Sequence, residues 1–138
     1  MQGKYFIDSN IFLYAFSTKD MLKQKSAKDI VVSKAVISTQ VLNEVCVNMI
    51  RKLNFAENQV IGFVESSYRR YKIVEITKDV FLTASNLRLK YQFSYYDSMI
   101  ISAALQSECE VLYSEDMQHE QVIEKRLQII NPFITEKL

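Results

Sequence analysis

Glycine occurs twice in the 138 residues, proline once, histidine once and tryptophan not at all. Sandwiches and barrels with many tight turns draw heavily on glycine and proline, so an all-β architecture is excluded. The two glycines, Gly3 and Gly62, lie far apart, which excludes a glycine-rich phosphate loop. His119, Cys46 and Cys109 are too few and too scattered for a zinc site of the usual Cys/His kind. A Ser-His-Asp or Cys-His enzyme would have to use His119, and no nucleophile elbow accompanies it. Each cysteine falls in an apolar helical run, so both read as buried free thiols of a reducing cytoplasm. No apolar run approaches the roughly 18 residues of a membrane span, and Asp8 interrupts the only apolar stretch near the start. The expectation is a cytoplasmic protein without a signal peptide or membrane contact.

What is present suits one globular domain spanning 1–138. Half the residues are hydrophobic (49%) and a quarter charged (24%), which excludes a disordered chain. The net charge of +1 hides an asymmetry. Residues 1–90 hold 14 Lys and Arg against 8 Asp and Glu, whereas residues 91–138 hold 3 against 8. A basic face with an acidic pocket would produce this, and so would uneven surface charge.

Short apolar runs alternate with longer amphipathic ones. Tyr5-Phe6-Ile7, Val36-Ile37, Ile73 to Ile76, Val111 to Tyr113 and Leu127 to Ile130 read as buried strands. Helices are expected near 20–34, from Ser38-Thr39 through Leu53, near 56–71, from Thr77 to Lys90 and from Ser94 to Ser107, with Ser38, Thr77 and Ser94 as caps. The alternation predicts an α/β domain whose mainly parallel sheet carries helices on both faces. Ligands of such sheets bind outside the carboxyl ends of the strands, so the residues just after each strand matter most.

Four acids fall there. Asp8 follows the first strand directly, and Asp116 lies just past the Val111–Tyr113 strand. Glu44 lies near the start of the helix after Val36-Ile37, and Asp97 in the first turn of the helix capped by Ser94. Taken singly, Asp97 also fits a capping box, Glu44 a helix-dipole partner and Asp116 an ordinary loop acid. Asp8 resists such a reading, because an acid ending a central apolar strand is costly to bury without a partner or a cation. Clustered carboxylates raise one another's pKa unless a cation neutralises them, and an oxygen-only set suits Mg²⁺ or Mn²⁺.

At these residues the sequence resembles the PIN domain, a metal-dependent ribonuclease family, and within it the single-domain toxins of VapBC toxin–antitoxin pairs. The resemblance is carried by Phe6-Ile7-Asp8-Ser9-Asn10-Ile11, Ile37-Ser38-Thr39-Gln40-Val41-Leu42-Asn43-Glu44, Ser94-Tyr95-Tyr96-Asp97-Ser98-Met99-Ile100 and Leu112-Tyr113-Ser114-Glu115-Asp116-Met117-Gln118-His119, with Ile130-Asn131-Pro132-Phe133 at the close. It implies a three-layer α/β/α sandwich. It implies that Asp8, Glu44, Asp97 and Asp116 form an acidic quartet binding Mg²⁺ or Mn²⁺, with Asn10 and Ser114 orienting them. It implies endoribonuclease activity by water attack on phosphorus, leaving a 5′-phosphate and a 3′-hydroxyl. A homodimer and a cognate antitoxin that blocks the site also follow from it. Glu115 is the alternative to Asp116 as fourth acid. Two departures stand out: Glu120 where relatives often have glycine after the histidine, and Ser98 where many have a small apolar residue.

Several further residues are candidates for RNA contact. Arg51 and Lys52 follow the Glu44 helix, and Tyr95 and Tyr96 flank Asp97 where a base could stack. The lysines of residues 17–34 could hold phosphates or an acidic antitoxin segment, or form a solvated face. Two other readings remain: a housekeeping RNA-processing nuclease, and a non-catalytic module that binds RNA or protein.

Overall fold

The computed structural model describes residues 4–134; the ends of the expected 1–138 domain lie outside the described residues. Three-residue strands with buried side chains lead straight into helices capped by the residue at the junction. β1 (Tyr5–Ile7) runs into α1 (Ser9–Phe16) through Asp8, whose carboxylate accepts the Ser9 N–H. Asp20 caps α2 (Met21–Val31). β2 (Val36–Ser38) ends on Ser38, which caps α3 (Thr39–Arg51) by accepting from Val41 N. α4 (Glu57–Arg70) leads to β3 (Lys72–Val74). Thr77 caps α5 (Lys78–Lys90), and Ser94 caps α6 (Tyr95–Gln106). β4 (Val111–Tyr113), β5 (Val122–Ile123) and β6 (Leu127–Ile130) complete the chain. At the starts of α1, α2, α3, α5 and α6, a side-chain oxygen on an otherwise unpaired N–H is worth about 1 kcal/mol, whereas the N-cap of α4 is Ala56, with no such oxygen.

The sheet order is β3-β2-β1-β4-β6-β5, parallel except for the antiparallel β5–β6 edge. Phe6, Ile7, Ile37, Leu112 and Ile129 are fully buried, as expected of central strands covered on both faces by helices. The chain moves outward from β1 to β2 and β3, then returns to the other side of β1 as β4. The crevice beyond the carboxyl ends of β1 and β4 is therefore the topological switch point, where open α/β sheets place their ligands. α1 packs on α2 and α3, and α5 on α6. Residues Ser98–Leu105 of α6 are buried, so this helix is a core element and only its first turn is open to solvent.

The structure differs from the sequence reading in several particulars. The third strand is Lys72–Val74 and not Ile73–Ile76. β5 is too short to show a period-two pattern, and β6 supplies its pairing. Ile50 is exposed and Leu53 lies beyond the end of α3, so the apolar face of that helix is Val41, Leu42, Val45 and Met49. Cys46 is only half-buried, and Cys109 is buried in the loop before β4 and not in a helix. Glu44 sits in the second turn of α3, where it is no dipole partner for the helix start.

The scarcity of glycine leaves its own mark. Among the described residues, Asn54, Glu108, Glu120, Glu124 and Lys125 adopt left-handed backbone, with φ between 52° and 68°. Such a conformation costs a residue with a Cβ roughly 1–2 kcal/mol. Glu120, at φ 68°, stands where the family resemblance favours glycine.

Candidate active site

Asp8 is held between two donors. Its Oδ1 accepts the Ser9 N–H at 2.7 Å and its Oδ2 accepts the Ser114 hydroxyl at 2.8 Å. Asp8 N continues the β1–β4 ladder by donating to Tyr113 O at 3.0 Å, which fixes the carboxylate at the sheet's edge. The side chain is 6% exposed. Burial pushes its pKa up to about 6 against the two hydrogen bonds, and the charges of Glu44 and Asp116 raise it further.

The other three acids arrive from separate elements. Glu44 reaches from α3 to α1, where its Oε2 accepts the Ser9 hydroxyl at 2.8 Å, while Gln40 one turn earlier donates to Oε1 at 3.1 Å. Asp97 is the third residue of α6, and its N–H donates to the Ser94 hydroxyl at 3.1 Å. Burial raises the pKa of the half-buried Asp97, Ser94 opposes this, and Asp116 and Glu44 add to it. Asp116 is exposed at the mouth, where its Oδ2 accepts Asn10 Nδ2 at 3.0 Å. Asn10 also accepts from Glu115 N at 3.3 Å, so one amide ties α1 to the loop after β4. The expected supporting residues Asn10 and Ser114 thus each hold one of the acids.

Glu115 faces away from this pocket. Tyr14 donates its hydroxyl to Oε1 at 2.6 Å and Lys23 pairs with Oε2 at 2.5 Å. The Lys23 ammonium also sits over the rings of Tyr14 and Phe133, at 4.7 and 5.4 Å from their centroids. Both oxygens of Glu115 are engaged on the α1–α2 side, whereas Asp116 is bonded only through Asn10 among the described residues.

The remaining candidates are spread around the site. Lys52 lines a cleft that opens beside Asp116, whereas the exposed Arg51 does not. Tyr95 is half-exposed, with the Arg88 guanidinium 4.7 Å above its ring and Tyr96 edge-on to it. His119 accepts Asn131 N at 3.0 Å, a structural role in the loop. Sequence reasoning passed over Ser9, Gln40, Tyr14 and Lys23 as residues that hold acids. The i, i+4 spacing of Gln40 and Glu44 was a readable signal; the Lys23 contact, across 92 positions, had none.

Neither Asp8 nor Asp97 makes an ion pair among the described residues, and the charges of other acids raise the pKa of both. Nor do three Asp, Glu, His or Cys side chains among the described residues stand close enough to form a ready ligand set. An all-carboxylate donor set that lacks an internal cation fits a hard divalent ion. Mg²⁺ keeps several waters and takes few carboxylates directly, which suits acids that stand apart.

Residues 5–125 match the PIN domain family. The chain belongs to that family. No curated protein matches the sequence. Among solved structures, the PIN fold here is similar to a toxin–antitoxin complex from Klebsiella pneumoniae, at 19% identity and a TM-score of 0.70, over 94% of this chain and 98% of that one. It is also similar to the Sarcin-Ricin loop cleaving toxin of Mycobacterium tuberculosis, at 16% identity and a TM-score of 0.64, over 82% and 90%. A DNA-bound VapBC from Salmonella typhimurium is similar at 17% identity and a TM-score of 0.65, over 93% and 97%. At these identities the likeness is one of fold. Among the described residues, no helix is long and apolar enough to cross a membrane.

Proposed function

We propose that the protein is a metal-dependent endoribonuclease, with Asp8, Glu44, Asp97 and Asp116 as its site. The observation that carries the reading is the convergence of four acids from β1, α3, α6 and the loop after β4, with no protein cation among the described residues to offset those that are buried. Burying such a group has no benefit to the fold, since each acid raises its neighbours' pKa and costs stability. These four residues would hold Mg²⁺ or Mn²⁺. When bound, the cation would lower the pKa of a water and offset the charge of a phosphodiester.

The chain's own residues prepare the site. Ser114 and the Ser9 N–H orient the two oxygens of Asp8, which favours its ionised form against burial. Ser9 Oγ and Gln40 do the same for Glu44. Asn10 holds Asp116 at the mouth while binding the backbone of the preceding residue. Because these donors sit on α1, on α3 and directly after β4, a substrate would meet acids already aimed into one crevice.

The likeness to a toxin–antitoxin complex and to a DNA-bound VapBC supports a toxin role with a cognate antitoxin as partner. A homodimer is the assembly expected from the family resemblance. RNA cleavage by purified protein should require Mg²⁺ or Mn²⁺, stop with EDTA, and disappear in Asp97→Asn. Cleavage by Asp97→Asn at the wild-type rate sinks the site. Growth arrest on expression, relieved by a neighbouring small gene, separates a toxin from a housekeeping nuclease.

A further inference from the structure

A cleft of about 460 Å³ opens from the Asp116 side of the acids and runs between α1, the α1–α2 loop and the end of α3. Its lining combines three kinds of side chain: Asn10 and Asp116 from the acid pocket, the apolar Leu13 and Leu53, and the basic Lys19 and Lys52. Both lysines are exposed, and neither makes an ion pair among the described residues. Of the other acids in the lining, Glu115 is paired with Lys23, whereas Asp20 caps α2 through Lys23 N and keeps its charge. Lys19 and Lys52 outnumber Asp20 beyond Asp116, so the charge there is net positive. Asn48 donates its Nδ2 to the Glu44 carbonyl at 2.9 Å, which leaves its Oδ1 as an acceptor in the wall.

We propose that this cleft is a nucleotide subsite that grips a single-stranded RNA on one side of the scissile bond. The proposal rests on the nuclease reading of the acids. Lys19 and Lys52 hold phosphates, the Leu13–Leu53 stretch lies under a base, and Asn48 Oδ1 accepts from a base amino group. The volume falls within the usual range for small-ligand sites, roughly 300–1,000 Å³. A strand needs this combination of chemistry: a cation-binding site at the reacting phosphate, apolar surface for a base, and fixed positive charge for a neighbouring phosphate. An acidic peptide would use the lysines but would leave the apolar stretch and the acceptor without a role.

The test reads RNA binding directly, in EDTA, so that cleavage does not enter. A short unstructured oligoribonucleotide carrying a fluorophore is titrated against wild type, Lys19→Ala/Lys52→Ala and the control pair Lys28→Ala/Lys34→Ala, each checked for folding by circular dichroism. The control removes the same charge from exposed positions that do not line the cleft. The cleft pair should lose about tenfold or more in affinity and flatten the log-log salt dependence by about 1.4, or about 0.7 for each lost phosphate contact. The control pair should stay near wild type. Equal losses in both pairs, or no RNA binding by wild type, overturn the subsite. So does a cleft pair that loses binding of a polyglutamate peptide but keeps binding of RNA. If wild type shows no Mg²⁺-dependent cleavage yet the cleft pair alone loses RNA, the nuclease reading fails and takes the scissile-bond placement with it, while the cleft's grip on RNA stands. If cleavage is normal and the cleft pair binds as wild type, the reverse holds.

Discussion

Glu115 and Asp116 are adjacent in sequence and live in opposite electrostatic settings. Glu115 has a protein cation: Lys23 holds it at 2.5 Å, Tyr14 donates to its other oxygen, and two aromatic rings flank the ammonium. Asp116 stands at the mouth of the crevice, where among the described residues it makes no ion pair, accepts from the neutral amide of Asn10, and adds its charge to that around Asp8 and Asp97. A carboxylate satisfied inside the protein has no need of a ligand. One that is oriented by neutral donors and surrounded by like charge gains stability only from a cation brought from outside. The contrast is the ground for proposing Asp116 and not Glu115 as the fourth acid of the site.

The comparison can be broken first at the buried members of the pocket. Asp97→Asn should lower RNA cleavage by at least about a hundredfold while leaving the far-ultraviolet spectrum unchanged, since one ligand is lost but its helix cap on Ser94 remains. The two neighbours give the sharper contrast. Asp116→Asn should cost on the order of 10- to 100-fold in cleavage or in Mg²⁺ affinity by calorimetry, whereas Glu115→Gln should stay within a few-fold of wild type. Equal effects of the two substitutions would abolish the distinction drawn between them.

A smaller effect appears in stability. The pKa of Asp8 is raised to about 6 in the folded protein, above its ordinary value of 3.8. Its neutral form is therefore favoured by folding. The contribution is full below pH 4 and is lost as the pH rises through 6. In EDTA, wild type should lose up to about 3 kcal/mol across that window by urea denaturation, and Asp8→Asn should remove most of this slope. Mg²⁺ at pH 7.5 should restore stability to wild type but not to Asp8→Asn. The smallest change is expected at the clamp. Lys23→Ala should lower the melting temperature only slightly, because the ion pair is partly open to solvent, and Lys23→Met should recover part of that loss by keeping the stem over Tyr14 and Phe133.

Much of the fold was legible because its signals are local. Ser38, Thr77 and Ser94 announce α3, α5 and α6, and each does cap its helix. The buried runs at Phe6-Ile7, Val36-Ile37 and Val111–Tyr113 are the paired central strands. What was missed is what a neighbour supplies. β5 exists because β6 lies beside it. The left-handed backbone at Glu120 and Glu108 carries no glycine to mark it. The burial of α6 on most sides is a packing outcome that an apolar run alone does not distinguish from an exposed amphipathic face.

The same division holds for the site. Sequence by itself determined the chemistry on offer: almost no glycine, one histidine, two unpaired cysteines and acids placed after strands, which left oxygen ligands as the one catalytic inventory in reach. It also determined the order of Asp8, Glu44, Asp97 and Asp116 along the chain. Only the tertiary structure decided which acids are committed elsewhere. Glu115 and Asp116 cannot be ranked from sequence, because the difference between them is a lysine 92 positions away, brought near by the packing of α2 on α1. Charge is a property of the residue, but its cost depends on burial and on the sign of its neighbours, and those are set by the fold.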